Sequence, residues 1–344
     1  MPSLLRFFAR DIGIDLGTGN TIISDANGNI LVNEPSVVAI DLTTYEVLAV
    51  GIEAKNMLGK TPENIMAVRP LENGIIADFE LTQAMLTFFV KKANSGFSVF
   101  QPRAMITVPS FLTDVEKRAV EDVVIYAGCR NVLLVEENIA AAIGMGLDIN
   151  EPKGHLISNI GAGTIQSSII SLAGVVSSKS IKYGGDNVDR DIRSYIKKKH
   201  NLLVGNSTCE YIKNVICTLK NENLKRTTII SGKDLVTGMP KTLEIKAESL
   251  LDCVIPLVNE TLSSIRDVLE KTPPEISGEI IIDGIVLCGG VSNLDGLAEA
   301  VEENVKIHTS VAENPINITG IGVGKALKVL SKKTRILIGN KDER

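Results

Sequence analysis

Apolar runs separated by glycine turns predict two similar strand–turn–strand units along this chain. The first occupies residues 11–22 (DIGIDLGTGNTI) and the second residues 156–165 (LISNIGAGTI). In each unit an apolar run leads to a polar side chain, then to Gly-x-Gly, then to a hydroxyl-rich segment typical of a second strand. Glycine lets backbone N–H groups approach closely, and such a turn forms a concave anion site. The repeat therefore predicts duplicated domains that hold a polyphosphate between them.

Two further segments have clear local patterns. Residues 284–297 (GIVLCGGVSNLDGL) predict a buried strand, a diglycine turn and a helix start, whose positive dipole end would suit a nucleotide. Thr113 and Glu116 have the spacing of a capping box, which predicts a helix running to about Gly128. The apolar face of that helix is expected to contain Val115, Ala119, Val120, Val123 and Ala127.

Composition narrows the class of protein. A chain of 344 residues with 44% hydrophobic residues can bury a sizeable core and suggests two or more domains. A net charge of −5 with mixed signs gives no continuous basic surface, so nucleic acid is not expected as a partner. The five scattered cysteines lack a CxxC pair and are interpreted as core residues in a reducing compartment. No long apolar run or signal peptide is evident, which predicts a cytoplasmic protein.

Several segments, in order along the chain, resemble the bacterial actin family MreB, which belongs to the superfamily of actin and Hsp70. The segments are 15–21 (DLGTGNT), 33–39 (NEPSVVA), 108–110 (VPS), 135–137 (VEE), 140–144 (AAAIG), 185–186 (GD) and 269–275 (LEKTPPE). The resemblance extends from about residue 10 to about residue 332. It implies an α/β actin-like fold, in which two duplicated mixed-sheet subdomains face a nucleotide cleft and each carries a smaller inserted subdomain.

The resemblance also implies boundaries for these subdomains. Subdomain IA would comprise residues 1–33, 74–149 and 324–344, and subdomain IB residues 34–73. Subdomain IIA would comprise residues 150–183 and 251–323, and subdomain IIB residues 184–250.

The cofactors implied by the resemblance are ATP and Mg²⁺. Asp15 would bind Mg²⁺ through water, since hard oxygen ligands suit this ion. The implied nucleotide-binding residues are Gly17, Thr18, Gly19 and Asn20 on one side of the phosphates, Gly161, Ala162, Gly163 and Thr164 on the other, Gly185 and Asp186 near the phosphate and ribose, Glu210 and Lys213 beside the adenosine, and Gly289 and Gly290 at the nucleoside. Glu210 and Lys213 are also spaced as an i,i+3 pair that would stabilise a helix without any ligand.

The second phosphate turn departs from the family pattern. MreB usually has DIGGGTTE where this chain has NIGAGTIQ at residues 159–166. Asn159 removes a charge from the outer shell of the Mg²⁺ ion, Ile165 cannot form hydrogen bonds, and Gln166 can orient water without acting as a base. The clamp itself remains, so nucleotide binding should survive better than turnover.

Glu137 keeps the implied role of positioning the attacking water, and Asn138 stands where the family has proline. With Glu137 and Gln166 as the catalytic residues, we expect weak but nonzero ATP hydrolysis. The alternative is that the changes at Ala162, Ile165 and Gln166 are harmless, around a relocated water site.

Two segments predict contact with a membrane. They contain Leu4, Leu5, Phe7 and Phe8 near the basic N-terminus, and Val99 and Phe100 in a loop that inserts into bilayers in the family. A few side chains supply roughly 1.5–3 kcal/mol each at best, so binding would need the many copies in a filament. The alternative is that the two N-terminal phenylalanines pack on the first strand.

Three functions are compatible with this fold: a cytoskeletal filament subunit for cell shape or motility, a metabolite kinase, and an Hsp70-like chaperone ATPase. A kinase needs a substrate-binding base, and no candidate aspartate exists beyond Asp15 and Asp186. A chaperone needs a further domain, yet about twenty residues follow Gly324. A filament subunit is therefore expected, which contacts itself through a non-closing interface at the inner face of the cell membrane.

Two hypotheses qualify this expectation. The altered second turn suggests a specialised member that copolymerises with a related actin paralogue. It is also compatible with a regulatory pseudo-actin that binds nucleotide without turnover.

Overall fold

The computed structural model describes residues 11–94 and 101–330. In chain order the strands are β1 (Ile12–Leu16), β2 (Asn20–Asp25), β3 (Ile30–Pro35), β4 (Val38–Asp41), β5 (Val47–Val50), β6 (Ile65–Val68), β7 (Leu71–Glu72), β8 (Ile75–Ile76), β9 (Arg103–Val108), β10 (Asn131–Glu136), β11 (His155–Ile160), β12 (Ile165–Ser171), β13 (Gly174–Ile181), β14 (Leu202–Leu203), β15 (Thr227–Asp234), β16 (Pro240–Lys246), β17 (Ile285–Cys288) and β18 (Thr309–Val311). The helices are α1 (Ile52–Met57), α2 (Phe79–Ala93), α3 (Asp114–Tyr126), α4 (Glu137–Met145), α5 (Gly185–His200), α6 (Asn206–Val215), α7 (Leu251–Glu270), α8 (Pro274–Asp283), α9 (Leu297–Val305) and α10 (Ile318–Leu330).

Two five-stranded sheets share one strand plan. The first has the order β10-β9-β1-β2-β3 and the second the order β13-β12-β11-β17-β18. In the first sheet β1 is antiparallel to β2 and parallel to β9, and in the second β11 is antiparallel to β12 and parallel to β17. The duplication predicted from the two glycine turns is therefore confirmed. We call the half built on the first sheet lobe I and the half built on the second sheet lobe II.

Each lobe carries a smaller antiparallel sheet. The sheet β5-β4-β6 lies within residues 34–73, and the sheet β14-β15-β16 lies within residues 184–250. These are the ranges in which inserted subdomains were predicted. Helix α10 crosses the predicted boundary between residues 323 and 324, and it packs along its length on α4 and β1 of lobe I. The remaining boundaries stay predictions.

A hydrophobic cluster joins the two lobes, in addition to the core of each one. It brings Val135 and Ile139 of lobe I together with Ile157 and Cys288 of lobe II and with Val323 of α10. All five cysteines are buried and free, as predicted for core residues. No helix of residues 11–94 and 101–330 is long and apolar enough to cross a bilayer.

Helices α10 and α4 pack with their backbones in close contact. A β-carbon at Gly322 would lie 1.7 Å from the backbone oxygen of Ala140, so only glycine allows this approach. The contact fixes α10 against the helix that leads from lobe I toward the junction.

The capping box predicted for α3 is present. The Glu116 amide donates to Thr113 Oγ1 at 3.3 Å, and the Thr113 amide donates to Glu116 Oε2 at 2.8 Å. The prediction that Val115 belongs to the apolar face is wrong, because its side chain is 79% exposed. Val124 takes a buried place on this face instead. The helix ends at Tyr126, close to the expected end.

The residues predicted to contact a membrane lie outside the described residues. They are Leu4, Leu5, Phe7, Phe8, Val99 and Phe100.

Candidate nucleotide-binding cleft

The two glycine turns have the same geometry and face each other. The Gly17 amide donates to the Asn20 carbonyl at 3.1 Å, and the Gly161 amide donates to the Thr164 carbonyl at 2.8 Å. A β-carbon on Gly163 would lie 2.9 Å from Thr18 Oγ1. The turns therefore meet across the lobes, and their glycine backbones form the walls of the space between them.

A cavity of about 510 Å³ opens between the lobes at these turns. Its volume lies in the range of small-molecule sites. The predicted residues that line it are Asp15, Gly17, Thr18, Gly19, Asn20, Glu137, Asn159, Gly161, Ala162, Gly163, Thr164, Asp186, Glu210, Lys213, Gly289 and Gly290. Gly185 and Gln166 are not part of the lining.

Gly185 supports the second turn from behind. At the start of α5, the amides of Gly185 and Asp186 donate to the carbonyls of Gly161 and Ala162 at 3.0 and 2.8 Å. The free amides at the N-terminus of α5 thus find hydrogen-bond acceptors in the turn, and these two bonds fix the turn in place. Gly185 therefore acts through the second turn, and the sequence had placed it at the ligand.

Gln166 does not reach the cavity, which corrects its predicted water-orienting role. Strand β12 is covered on both faces, with Ile165 in the core of lobe II and Gln166 completely buried on the face toward α4. Both polar atoms of the Gln166 side chain lack a hydrogen-bond partner among the described residues. The side chains that differ from the family at these two positions are thus directed away from the ligand space.

Asn138 connects the two lobes at their junction. Its completely buried amide nitrogen donates to the Gln166 carbonyl and to Ser168 Oγ, both at 2.9 Å. The residue stands in the first turn of α4, directly after Glu137. Asn138 therefore ties α4, the helix that begins with Glu137, to β12, the strand that follows the second turn. The sequence had marked this position only by the absence of the family's proline.

Two carboxyl groups face the floor of the cleft. Burial, together with the nearby carboxylates of Asp15 and Glu136, raises the pKa of Glu137 to about 8. Burial also raises the pKa of Asp15 to about 6, although a hydrogen bond from Thr107 opposes this shift. Thr107 Oγ1 donates to Asp15 Oδ1 at 2.8 Å, because β9 runs parallel beside β1. The sequence analysis missed Thr107, which could have been noticed as a polar residue within the apolar strand β9.

The charged residues of α5 and α6 that line the cavity are all paired. Asp186 accepts from Arg69 at 2.7 Å and Glu210 accepts from Lys55 at 2.9 Å. Lys213 forms an ion pair with Asp189 at 2.9 Å, so Glu210 and Lys213 do not form the alternative i,i+3 pair. Sequence analysis missed both lobe I cations, because no local pattern connects residues so far apart in the chain.

Part of the cavity lining is apolar, although Arg226, Asn293 and Asp295 also contribute to it. Leu257, Val291, Leu294 and Ile316 belong to the apolar part together with Cys217. The diglycine turn leads into a single 3-10 turn, Gly290–Asn293, where the sequence predicted a helix start. These apolar side chains can contact the flat face of a nucleoside base.

Two like lobes with glycine turns that face each other at one cavity define a protein of the actin-type fold. The family model described as MreB/Mbl protein matches residues 9–335. The chain therefore belongs to the MreB/Mbl family. It is 42% identical to the cell shape-determining protein Mbl of Bacillus subtilis (strain 168), over 94% of this chain and 98% of that protein. It is 39% identical to the cell shape-determining protein MreB of Escherichia coli (strain K12), over 94% of each chain.

Solved structures agree with this assignment. The crystal structure of MreB5 of Spiroplasma citri bound to AMPPNP has a TM-score of 0.89 and 32% identity, and the match covers 95% of this chain and 98% of that one. The MamK double helical filament has a TM-score of 0.79 at 22% identity, which shows the fold, over 93% of this chain and 99% of that chain.

Proposed function

We propose that this chain is an ATP-binding bacterial actin that polymerises into cytoskeletal filaments for cell shape or motility. The observation that carries the proposal is the pair of glycine turns, Gly17–Gly19 and Gly161–Gly163, which face each other across one cavity. Membership of a family whose relatives are named cell shape-determining proteins supports the filament role. A relative bound to AMPPNP supports the choice of ligand.

Different residues of the cleft would bind different parts of the nucleotide. Backbone amides of the two turns would hold the phosphates, and the apolar side chains of the lining would contact the base. Thr107 holds one carboxylate oxygen of Asp15, and the other would bind Mg²⁺ through water, where the ion would neutralise phosphate charge. Asn159 faces the same cavity with a neutral amide, so the ion would rely more on phosphate oxygens and water.

Weak ATP hydrolysis forms part of the proposal. Glu137 lies at the cavity floor, where it would position the attacking water. Its pKa of about 8 keeps this group protonated at neutral pH in the free protein, and a nearby cation would favour the carboxylate. The loss of the charge at Asn159 would then slow turnover more than binding.

The proposed location is the cytoplasm, at the inner surface of the cell membrane. The apolar N-terminal residues and the loop with Val99 and Phe100 motivate membrane contact, and a related actin paralogue is the proposed second partner. A pull-down from the native cell that recovers no related actin would argue against a paralogue partner. Absence of lipid binding by polymerised protein would argue against membrane contact.

The decisive experiment is light scattering and pelleting with and without Mg-ATP, with phosphate release followed in the same tube. Polymer that depends on nucleotide, with little phosphate released, would support the proposal, and Asp15→Ala is the control that should weaken Mg-dependent polymer. No polymer with any nucleotide, with or without lipid, would favour a regulatory pseudo-actin. Brisk phosphate release without polymer would favour an enzyme such as a metabolite kinase.

A further inference from the structure

Two ion pairs join lobe I to lobe II between described residues. Lys55 Nζ lies 2.9 Å from Glu210 Oε1, and Arg69 Nη1 lies 2.7 Å from Asp186 Oδ1. Each cation comes from the small sheet region of lobe I, and each carboxylate comes from α5 or α6 of lobe II. These contacts therefore bridge the two inserted regions that face each other across the cleft.

The pairs stand at the boundary of the ligand space. Asp186, Glu210 and Arg69 line the cavity between the glycine turns. Lys55 lines a second cavity of about 610 Å³, which contains Ser207 of lobe II and shares Asn20 with the first. The Lys55–Glu210 pair thus joins a residue that lines the second cavity to a residue that lines the first.

The charges on the lobe II wall explain why these cations matter. Asp186, Asp189 and Glu210 place three carboxyl groups beside a site for a polyphosphate. Lys213 of the same lobe neutralises Asp189, whereas the other two carboxylates depend on lobe I. Burial opposes ionisation of Glu210, but the bond from Lys55 holds its pKa below the ordinary value. If the lobes separate, two negative charges face the phosphates without compensation.

We propose that Lys55 and Arg69 form a clasp between the lobes that closes the cleft over bound nucleotide and slows its release. The proposal rests on nucleotide binding as proposed above. Release requires the lobes to part, which breaks both pairs and exposes Asp186 and Glu210 to the phosphates. Loss of one partly exposed ion pair of this kind should increase the rate of nucleotide release by up to about fivefold. Added salt should weaken both pairs.

The first test measures dissociation of a fluorescent ATP analogue, chased by excess ATP in a stopped-flow instrument. Lys55→Glu and Glu210→Lys should each accelerate release by about fivefold, because each leaves two like charges opposed. The charge-swapped double variant Lys55→Glu/Glu210→Lys should release nucleotide more slowly than either single variant, because the opposite charges face each other again. Single variants that release at the wild-type rate would overturn the proposal. A swapped variant as fast as the singles would also overturn it, and would make Glu210 a direct ligand contact.

A matched control separates the clasp from general effects of charge. Lys179 and Asp267 form a pair of 3.0 Å within lobe II, with side-chain exposures of 39% and 36%. Lys179→Glu should leave the release rate unchanged. A rate increase equal to that of Lys55→Glu would mean that net charge, and not the clasp, controls release, which would overturn the proposal.

A second measurement needs no nucleotide. Spin labels on Glu63→Cys in lobe I and Lys197→Cys in lobe II, both exposed, would report the distance between the lobes. The native cysteines are buried, which raises the pKa of Cys209 to about 11 and of Cys217 to about 12, so they should resist labelling.

The free protein should show one narrow distance distribution in this measurement. Lys55→Gln/Arg69→Gln should shift it to longer and broader distances. An unchanged distribution would overturn the clasp. Failure of the labelled wild-type protein to bind nucleotide at all would instead overturn the proposed function, and leave the distance result as the test of the clasp.

Discussion

The side-chain amide of Asn138, in the first turn of α4, donates a hydrogen bond of 2.9 Å to the backbone oxygen of Gln166 in β12. The bond crosses from lobe I to lobe II, at the junction where a hydrophobic cluster joins them. Gln166 pairs with Asn159 in the hairpin that carries the second phosphate turn. Asn138 therefore links the position of Glu137 to that turn, although the two belong to different lobes.

Asn138→Ala should lower the free energy of unfolding by about 1–3 kcal/mol, since it leaves buried acceptors without their donor. Chemical denaturation measures the change. Asn150→Ala is the matched control, because Asn150 is exposed and bonds only to nearby Asp148, so it should change stability by no more than about 0.5 kcal/mol. Equal effects of the two substitutions would contradict the interlobe role of Asn138.

Gln166→Met should leave ATP hydrolysis within about twofold of wild type, because the side chain does not reach the cavity. Stability should stay the same or rise, since the substitution removes buried polar atoms that have no partner among the described residues. Steady-state phosphate release measures the first effect and denaturation the second. A loss of hydrolysis of tenfold or more with unchanged stability would restore the water-orienting role predicted from sequence.

Gly322→Ala should destabilise the protein by about 3 kcal/mol or more, since the added carbon meets the Ala140 carbonyl oxygen. Gly278→Ala, in α8, is the control: a β-carbon there meets nothing within 4 Å, and alanine favours the helix by up to about 1 kcal/mol. Thermal unfolding of both variants tests the close packing of α10 on α4. A neutral Gly322→Ala variant would contradict it.

The stability of the free protein should fall as pH rises from about 4.5 to about 8. Glu137 has a folded pKa of about 8 against an ordinary value of 4.5, so the folded state binds more protons than the unfolded state in this window. Its stabilising contribution is complete below the lower value and is lost as pH approaches the upper one. Asp15 acts in the same direction between 3.8 and about 6.

Glu137→Gln should remove the part of this slope above about pH 6, and raise stability at pH 8 by roughly 1–3 kcal/mol. Urea denaturation at several pH values, with EDTA present, measures it. Glu63→Gln, an exposed change, should keep the wild-type slope. A wild-type slope in Glu137→Gln would show that other groups carry the pH dependence.

Asn159→Asp should make nucleotide binding depend more strongly on Mg²⁺. The added carboxylate repels phosphate when the ion is absent and attracts the ion when it is present, so the ratio of affinities with Mg²⁺ and with EDTA should grow by about tenfold. Titration of a fluorescent ATP analogue under both conditions measures the ratio. An unchanged ratio would place Asn159 outside the reach of the ion. A wild-type hydrolysis rate equal to that of typical relatives would show that the second turn is not impaired.

The sequence by itself determined the duplicated plan and about half of the cavity lining. Each glycine turn is local, since a few consecutive residues set its shape, and the repeat of Gly17 at Gly161 was visible without any knowledge of contacts. The resemblance to MreB then indicated that the distant turn at Gly289 belongs to the same site. Asp15 and Glu137 were found in the same way, and both line the cavity.

Only the tertiary structure decided which side chains face the ligand and which bridge the lobes. Gln166 was assigned to the cavity from comparison with the family pattern of the second turn, but α4 covers that face of β12. Thr107 meets Asp15 through strand pairing, and Arg69 and Lys55 meet their carboxylates across the cleft. These contacts join residues far apart in the chain, and their geometry follows from the packing of whole sheets and helices, which no local pattern encodes.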